Sequence, residues 1–360
     1  MNRLFQLKET ILPNILANLN YENLEFVILD YNSEDGMEEW VKANLGNYID
    51  IGKVVYYKTL QPKVFNHSHA KNLAFKLASG DIVCNINADH FIGNDFAFYV
   101  NQQYCRDSDI VITPIPKFWS DGYSAPKDVF GKVCVKKADF MRIHGFDERM
   151  QTYGFEDFDF INRLEMSGIK RSILRDPVFL KYLSHNEARF SVDEFYETLD
   201  KILIQYIDYS SSNLIFMFNN GLFEMGKLID HSCVNAHDFR YSHLKEDHRF
   251  EYSIEGSVWK PGIYFKDGNG DIIFSADSGD CFKMYNKLGF YECKSHDTIG
   301  RFYDLLDPIA REQVLDFHYL FKNRSLLELN IIRNEIQPNN NVFGKGVIYK
   351  NFSVDQVEVL

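Results

Sequence analysis

Over residues 24–183 short apolar runs alternate with stretches of helical spacing, and nothing else in the chain constrains the fold as strongly. Runs at 24–30, 53–58, 82–87, 109–113, 131–135 and 178–183 are too short for helices and read as strands. Between them, residues 35–45, a segment ending at Gly80, and residues 94–105, 136–143 and 156–167 read as helices. Ahead of the first strand, Leu4, Leu7, Ile11, Ile15 and Leu19 stand at helical spacing, with Pro13 placed to kink or split the run. Strand and helix in alternation predict an α/β fold, a mostly parallel sheet flanked by helices.

In such a sheet the strand C-termini carry the working groups. Asp30 ends one apolar run, and Asn87, Asp89 and His90 end another. An Asp in that place can hold a hard divalent cation that also binds diphosphate oxygens, although a short Asx turn is the plainer reading of an isolated Asn-x-Asp. Further on, Gly145-Phe146-Asp147-Glu148 precedes Tyr153-Gly154-Phe155-Glu156-Asp157-Phe158-Asp159, which opens a helix through Asn162-Arg163-Leu164. Carboxylates in a first turn are favoured by the unpaired N–H groups there, and Asp159 and Arg163 are spaced to pair across one turn. A cap explains such residues taken singly. Two strands ending in Asp, followed by an acidic helix start, make a constellation.

These segments resemble, in order, those of glycosyltransferases of the GT-A fold. The broad likeness is to family 2, and the acceptor-side motif from Phe130-Gly131 to Leu164 is similar to that of β-1,4-galactosyltransferases. The resemblance covers roughly residues 1–190. It implies a Rossmann-like, mostly parallel sheet with a C-terminal α+β appendage. It also implies a nucleotide-sugar donor held by Arg3, Asp30, Lys71, Asn87 and Asp89. Asp157 is implied as the catalytic base, with Glu156 beside it, and Trp119, Tyr123 and Asp159 on the acceptor side. Asp89 and His185 are implied as ligands of a divalent cation, and an imidazole favours Mn²⁺ over Mg²⁺. Two departures stand out. Asn87 replaces an acidic residue, and Met1 stands where the family's first strand would already have ended.

Composition narrows the partners. A net charge of −12 with no basic stripe argues against nucleic acid. No uninterrupted apolar span approaches a membrane-crossing helix, which leaves peripheral membrane contact open. Six scattered cysteines without a Cys-x-x-Cys pair suit buried free thiols in a reducing compartment, so a cytoplasmic enzyme is expected.

The expected division is a glycosyltransferase domain over 1–210, apparently lacking its first strand, and an α+β region of unknown role over 211–360. In the latter, a helix near 192–208 leads to hairpins over 250–300 and helical segments near 300–335. Asp267-Gly268-Asn269-Gly270-Asp271 lacks the glycine and glutamate that a calcium loop needs after it, and reads as a hairpin turn. The expected activity is inverting, metal-dependent transfer of a sugar from a nucleotide donor, UDP for preference, to a glycan or glycoconjugate hydroxyl. Cell-surface polysaccharide or glycoconjugate synthesis is the expected setting. Alternatives are a nucleotide-sugar-binding protein with little turnover and a sugar-phosphate nucleotidyltransferase, the latter having no use for the acidic helix start.

Overall fold

The structure is a computed structural model that describes residues 1–115, 125–126, 129–150, 153–184, 198–207, 211–229, 259–294 and 299–360. It divides into two compact units: among the described residues, 1–184 with 326–360, and 198–229 with 259–325.

In the first unit, helix α1 (Leu4–Leu16) continues through Pro13 and buries Leu4, Leu7, Ile11 and Ile15. They pack against strand β1 (Phe26–Tyr31), helix α2 (Met37–Asp50) and strand β2 (Val54–Thr59), each element supplying apolar residues at its own period. The polar face of α1 does something else. Thr10 Oγ1 donates to the Ala88 carbonyl at 2.5 Å and Asn14 Nδ2 to that of His90 at 2.9 Å. The Ile92 N–H donates in turn to Asn14 Oδ1 at 2.9 Å. A helix that buries one stripe in the core thus clamps the loop carrying Asp89 with the other.

Helix α3 (His67–Leu77), strands β3 (Ile82–Asn85), β4 (Ile110–Thr113), β5 (Val133–Lys136) and β6 (Lys170–Ile173), and helices α4 (Phe96–Arg106), α5 (Lys137–Arg142) and α6 (Glu156–Met166) follow, and the unit's strands lie in two four-stranded sheets. The second sheet has order β3-β5-β4-β6, and only β4 and β6 run parallel. In the first, β1 and β2 are parallel, and β2 pairs on its other side with a hairpin from the chain's far end, β15 (Val347–Lys350) and β16 (Ser353–Val359).

Eight strands form the second unit's barrel, β7 (Leu199–Tyr206), β8 (Ser211–Phe218), β9 (Leu222–Ile229), β10 (Lys260–Lys266), β11 (Ile272–Ala276), β12 (Cys281–Lys287), β13 (Phe290–Lys294) and β14 (Ile299–Asp304). These eight strands close on themselves, every neighbouring pair antiparallel. Alternate residues point inward, Phe274, Phe282, Met284, Cys293 and Phe302 among them, and closure leaves no open edge. Helix α7 (Pro308–Ile332) lays Val314 and Leu315 against the outside of β7 and β8. Asp267 Oδ1 accepts from the backbone N–H of Asn269 at 2.9 Å and of Asp271 at 3.1 Å, and Gly270 is left-handed at φ +78°, so this is a hairpin turn.

The expected Rossmann-like GT-A architecture, one mostly parallel sheet, is therefore not the fold. A closed antiparallel barrel holds the largest set of strands, and the first unit's strands lie in two mixed sheets. The alternation of strand and helix is present, but parallel pairing follows it only at β1–β2 and β4–β6. Strand β5 inserts antiparallel between β3 and β4, a register that apolar runs alone do not encode. Two local readings also change. Part of the expected helix over 192–208 is strand β7, and the run at 178–183 is a 3-10 turn at Pro177–Phe179 followed by a single antiparallel bridge, His90 to Tyr182.

Candidate active site

Helix α6 begins where the chain is least comfortable. Gly154 has φ +95° and Phe155, a residue with a bulky side chain, has φ +68°. A left-handed non-glycine residue is costly and is tolerated where the surroundings fix it, which is common at functional sites. The bend delivers Glu156 and Asp157 side by side onto Lys71 of α3. Lys71 Nζ donates to Asp157 Oδ1 at 2.7 Å and to Glu156 Oε1 at 2.9 Å, and lies 5.2 Å from the Phe146 ring centroid. All three side chains are largely buried.

Burial and charge act against each other here. Burial lowers the Lys71 ammonium's pKa, but the two carboxylates outweigh it and hold it above its usual range. Burial pushes Glu156 up, yet Lys71 and then His67 bring it below the usual carboxylate range. For Asp157 burial dominates; Lys71 pulls it back and Glu156 pushes it further, leaving it raised to about 6. Two neighbouring carboxylates thus differ, and such a split marks candidate acid–base groups. Asp157 Oδ1 is taken by Lys71, whereas among the described residues Oδ2 accepts no hydrogen bond. Burial lowers His67, at the start of α3, to about 4, so it is neutral at pH 7; its charge state also responds to Glu156, Lys71, the chain's amino terminus and Arg3.

Asp159 points the other way. It is fully buried, accepts from Arg163 Nε at 2.7 Å and from Asn330 Nδ2 at 2.8 Å. Arg163 also donates to the Gly145 carbonyl at 2.8 Å, and Asn330 to Asp147 Oδ2 at 3.0 Å. The expected one-turn pair is present and ties α6 to the Gly145 turn and to the end of α7.

Asp30, at the end of β1, is fully buried and accepts from Tyr56 Oη at 2.6 Å and the Ser33 N–H at 2.8 Å. The exposed Arg3 caps α1 beside the same loop, where the Asn2 N–H donates to Ser33 Oγ at 3.0 Å. Asn87 Oδ1 accepts from Asn85 Nδ2 at 2.9 Å, and its side chain packs closely on Gly131: a Cβ there would lie 2.8 Å from the Asn87 amide nitrogen, so the amide would have to shift. The Asp89 loop runs beside residues 181–183, with the Phe91 N–H donating to the Lys181 carbonyl at 3.0 Å and the Leu183 N–H to that of Asp89 at 2.8 Å. Two residues after Leu183 in sequence stands His185, which with Trp119 and Tyr123 lies outside the described residues. Among the described residues no three His, Cys, Asp or Glu side chains gather as a metal set, and no helix is long and apolar enough to cross a membrane.

The structure therefore joins Lys71, expected at the donor, to the acidic pair. It also shows groups the sequence reading passed over. Lys132 is fully buried and donates to the carbonyls of Phe91 at 2.9 Å and Phe179 at 2.5 Å, bridging the two segments that meet at Asp89. A lysine inside the apolar run Phe130–Val135 was its only signal. Asn330 lies far from the motif in sequence, and nothing local announced it.

No curated protein matches the chain. Two similar solved structures are of Drosophila β-1,4-galactosyltransferase 7. One is a point mutant in complex with manganese, UDP-Gal and xylobiose, 19% identical, covering 48% of this chain and 75% of that one, with a TM-score of 0.31. The other is the catalytic domain with xylobiose, 15% identical, covering 51% and 90%, with a TM-score of 0.28. At those TM-scores neither likeness bears on this chain's fold or ligands. The family model for the N-terminal domain of galactosyltransferase matches residues 119–186, the stretch holding Glu156, Asp157, Asp159 and Arg163. By that segment the chain resembles the galactosyltransferases.

Proposed function

We propose that this chain moves a sugar from a nucleotide donor, a UDP-sugar, to a hydroxyl of a glycan or glycoconjugate acceptor with inversion, in cytoplasmic synthesis of a cell-surface polysaccharide or glycoconjugate. The observation that carries the reading is the pair Glu156 and Asp157, inside the galactosyltransferase-like segment, held together by the Lys71 ammonium. Asp157 Oδ2 takes the proton of the acceptor hydroxyl as that oxygen attacks the anomeric carbon and the bond to the nucleotide diphosphate breaks. Lys71 holds Oδ1, so the second oxygen faces a fixed direction. Glu156, kept ionised beside it, places negative charge near the positive character that develops on the sugar ring.

Asp89 and His185 are proposed to hold a divalent cation, Mn²⁺ before Mg²⁺, which when bound would offset the charge of the departing diphosphate. The donor set fits: a partly exposed carboxylate on a loop clamped by α1, an amide at Asn87 with a further lone pair on its oxygen, and an imidazole. Arg3 and Asp30 remain proposed donor contacts, Asp30 through the loop its carboxylate orders. Trp119 and Tyr123 remain proposed acceptor contacts. Asp159, enclosed with Arg163 and Asn330, is proposed to brace the helix that carries Asp157.

The test is thermal melting with Mn²⁺ against a panel of nucleotide sugars, followed by transfer to glycan acceptors. A shift specific to one donor with transfer supports the reading. A shift without transfer across a broad acceptor panel would leave a nucleotide-sugar-binding protein instead.

A further inference from the structure

The outer face of β12, β13 and β14 combines exposed rings with charged side chains. Cross-strand register sets Tyr285 opposite Glu292 and Glu292 opposite Arg301, and in the next row Lys287 opposite Phe290. The Phe290 and Tyr303 rings follow in that row with centroids 6.3 Å apart. Their neighbours in sequence, Met284, Cys293 and Phe302, point into the barrel, so these side chains share the outward face. Tyr285 is 38% exposed and Tyr303 41%.

Cations sit over the rings. Arg301 lies 4.9 Å from the Phe290 centroid, and Lys283 and Lys294 lie 5.2 and 5.9 Å from that of Tyr285. Glu292 is matched by Lys294 at 3.1 Å, and Lys283 by Asp267 at 2.9 Å. Among the described residues no carboxylate pairs with Lys287 or Arg301. A chain of net charge −12 therefore carries a face with exposed rings and unmatched positive charge.

We propose that this face binds an acidic polysaccharide, with sugar rings lying on Tyr285 and Tyr303 and carboxylate or sulfate groups meeting Lys287 and Arg301. Flat rings offer apolar area to the C–H faces of a sugar at little entropic cost, and guanidinium matches a carboxylate or sulfate with two donors. Weak individual contacts on a repeating chain add through effective concentration. The choice of a glycan rests on the glycosyltransferase reading; the charge and the rings do not.

The test is fluorescence anisotropy on the full chain with labelled oligogalacturonate, chondroitin sulfate oligosaccharide, neutral dextran oligosaccharide and oligothymidylate. Oligogalacturonate, chondroitin sulfate or both should bind and weaken as salt rises, dextran should not, and the stronger of the two acidic glycans identifies the anionic group. Arg301→Glu and Tyr285→Ala should each weaken binding at least about tenfold, with melting temperature and nucleotide-sugar shift unchanged. Should Arg301→Glu fail to fold, the exposed Lys287→Glu replaces it. Acidic glycans that do not bind, or bind the variants as tightly, would overturn the proposal. Oligothymidylate bound as tightly as the glycans would overturn it in favour of a nucleic-acid face. Failure of the catalytic reading is separate: it would show as no nucleotide-sugar shift with glycan binding intact.

Discussion

Lys71 Nζ stands 2.7 Å from Asp157 Oδ1, and the same ammonium holds Glu156. One cation between two adjacent, mostly buried carboxylates gives a cluster with a single net negative charge when both are ionised. The arrangement fixes which oxygen of Asp157 is open and sets the pH at which it can act. Removing any member changes the other two.

The first prediction is the pH dependence. Burial raises Asp157 to about 6, and only its ionised form can take a proton. Transfer, measured as kcat/KM for the acceptor with saturating donor, should be level above pH 7 and fall about tenfold per unit below about pH 6. The stability linkage has its own sign. A folded-state pKa above the unfolded value means that ionisation opposes folding, so this group's contribution is present at acidic pH and is lost as pH rises through 6. A profile level down to pH 4.5 would remove Asp157 as the base.

Lys71→Met should move that profile. Without the ammonium, Asp157 and Glu156 face each other uncompensated, and the acid limb of the rate should shift to higher pH. Stability at pH 7 should fall by roughly 3–5 kcal/mol, the usual cost of stripping one partner from a buried pair, and should recover toward pH 5 as the carboxylates protonate. Lys71→Arg keeps the charge and should recover most of the stability. Urea unfolding across pH and the transfer profile check both; an acid limb left in place would show that Lys71 does not set the behaviour of Asp157.

The local structure of the acidic segment was legible because its logic is local. The Gly154–Phe155 bend, the acidic pair after it and the Asp159–Arg163 spacing are all contained in one stretch of sequence, and helix α6 begins at Glu156 as that stretch predicts. The sheets were not legible, because pairing is a long-range choice. Nothing near Val347 says that it will join β2, and nothing near Val133 says that it will run antiparallel between β3 and β4. Leu199, Ile202 and Leu203 carry a spacing a helix could use, yet the strand closes a barrel whose other hairpins supply its partners. Lys132 and Asn330 act through contacts made only after folding, so residue type gave no sign of either.

Asn330 supplies the third prediction. Its side-chain amide donates to Asp147 and Asp159, while its oxygen accepts from Arg149 at 2.6 Å. Asn330→Leu leaves two buried carboxylates short of a donor and should cost about 1–3 kcal/mol. Because Asp159 braces α6, transfer should fall by more than donor binding does. Equilibrium unfolding and donor titration separate the two effects, and a variant as stable as the parent would show that Arg149 and Arg163 satisfy both carboxylates alone.

The last prediction separates the two ends of the reaction. Asp157→Asn keeps the shape and one oxygen for Lys71 but cannot accept a proton at neutral pH. It should leave nucleotide-sugar and Mn²⁺ affinity within about twofold while lowering transfer by roughly two to four orders of magnitude, the usual worth of a positioned base. Asp89→Asn removes the proposed charged ligand from a loop that α1 and residues 181–183 already hold in place, so the fold should survive. Its phenotype should be weaker Mn²⁺ and donor binding together, with activity partly recovered at high Mn²⁺. Exhaustive chelation of the parent should reproduce that loss and be reversed by Mn²⁺. Calorimetric titration of Mn²⁺ and of donor, run beside the transfer assay on both variants, tells the roles apart. Near-normal transfer by Asp157→Asn at saturating acceptor would make Asp157 a structural partner of Lys71 and move the base to Glu156, the other carboxylate that Lys71 holds.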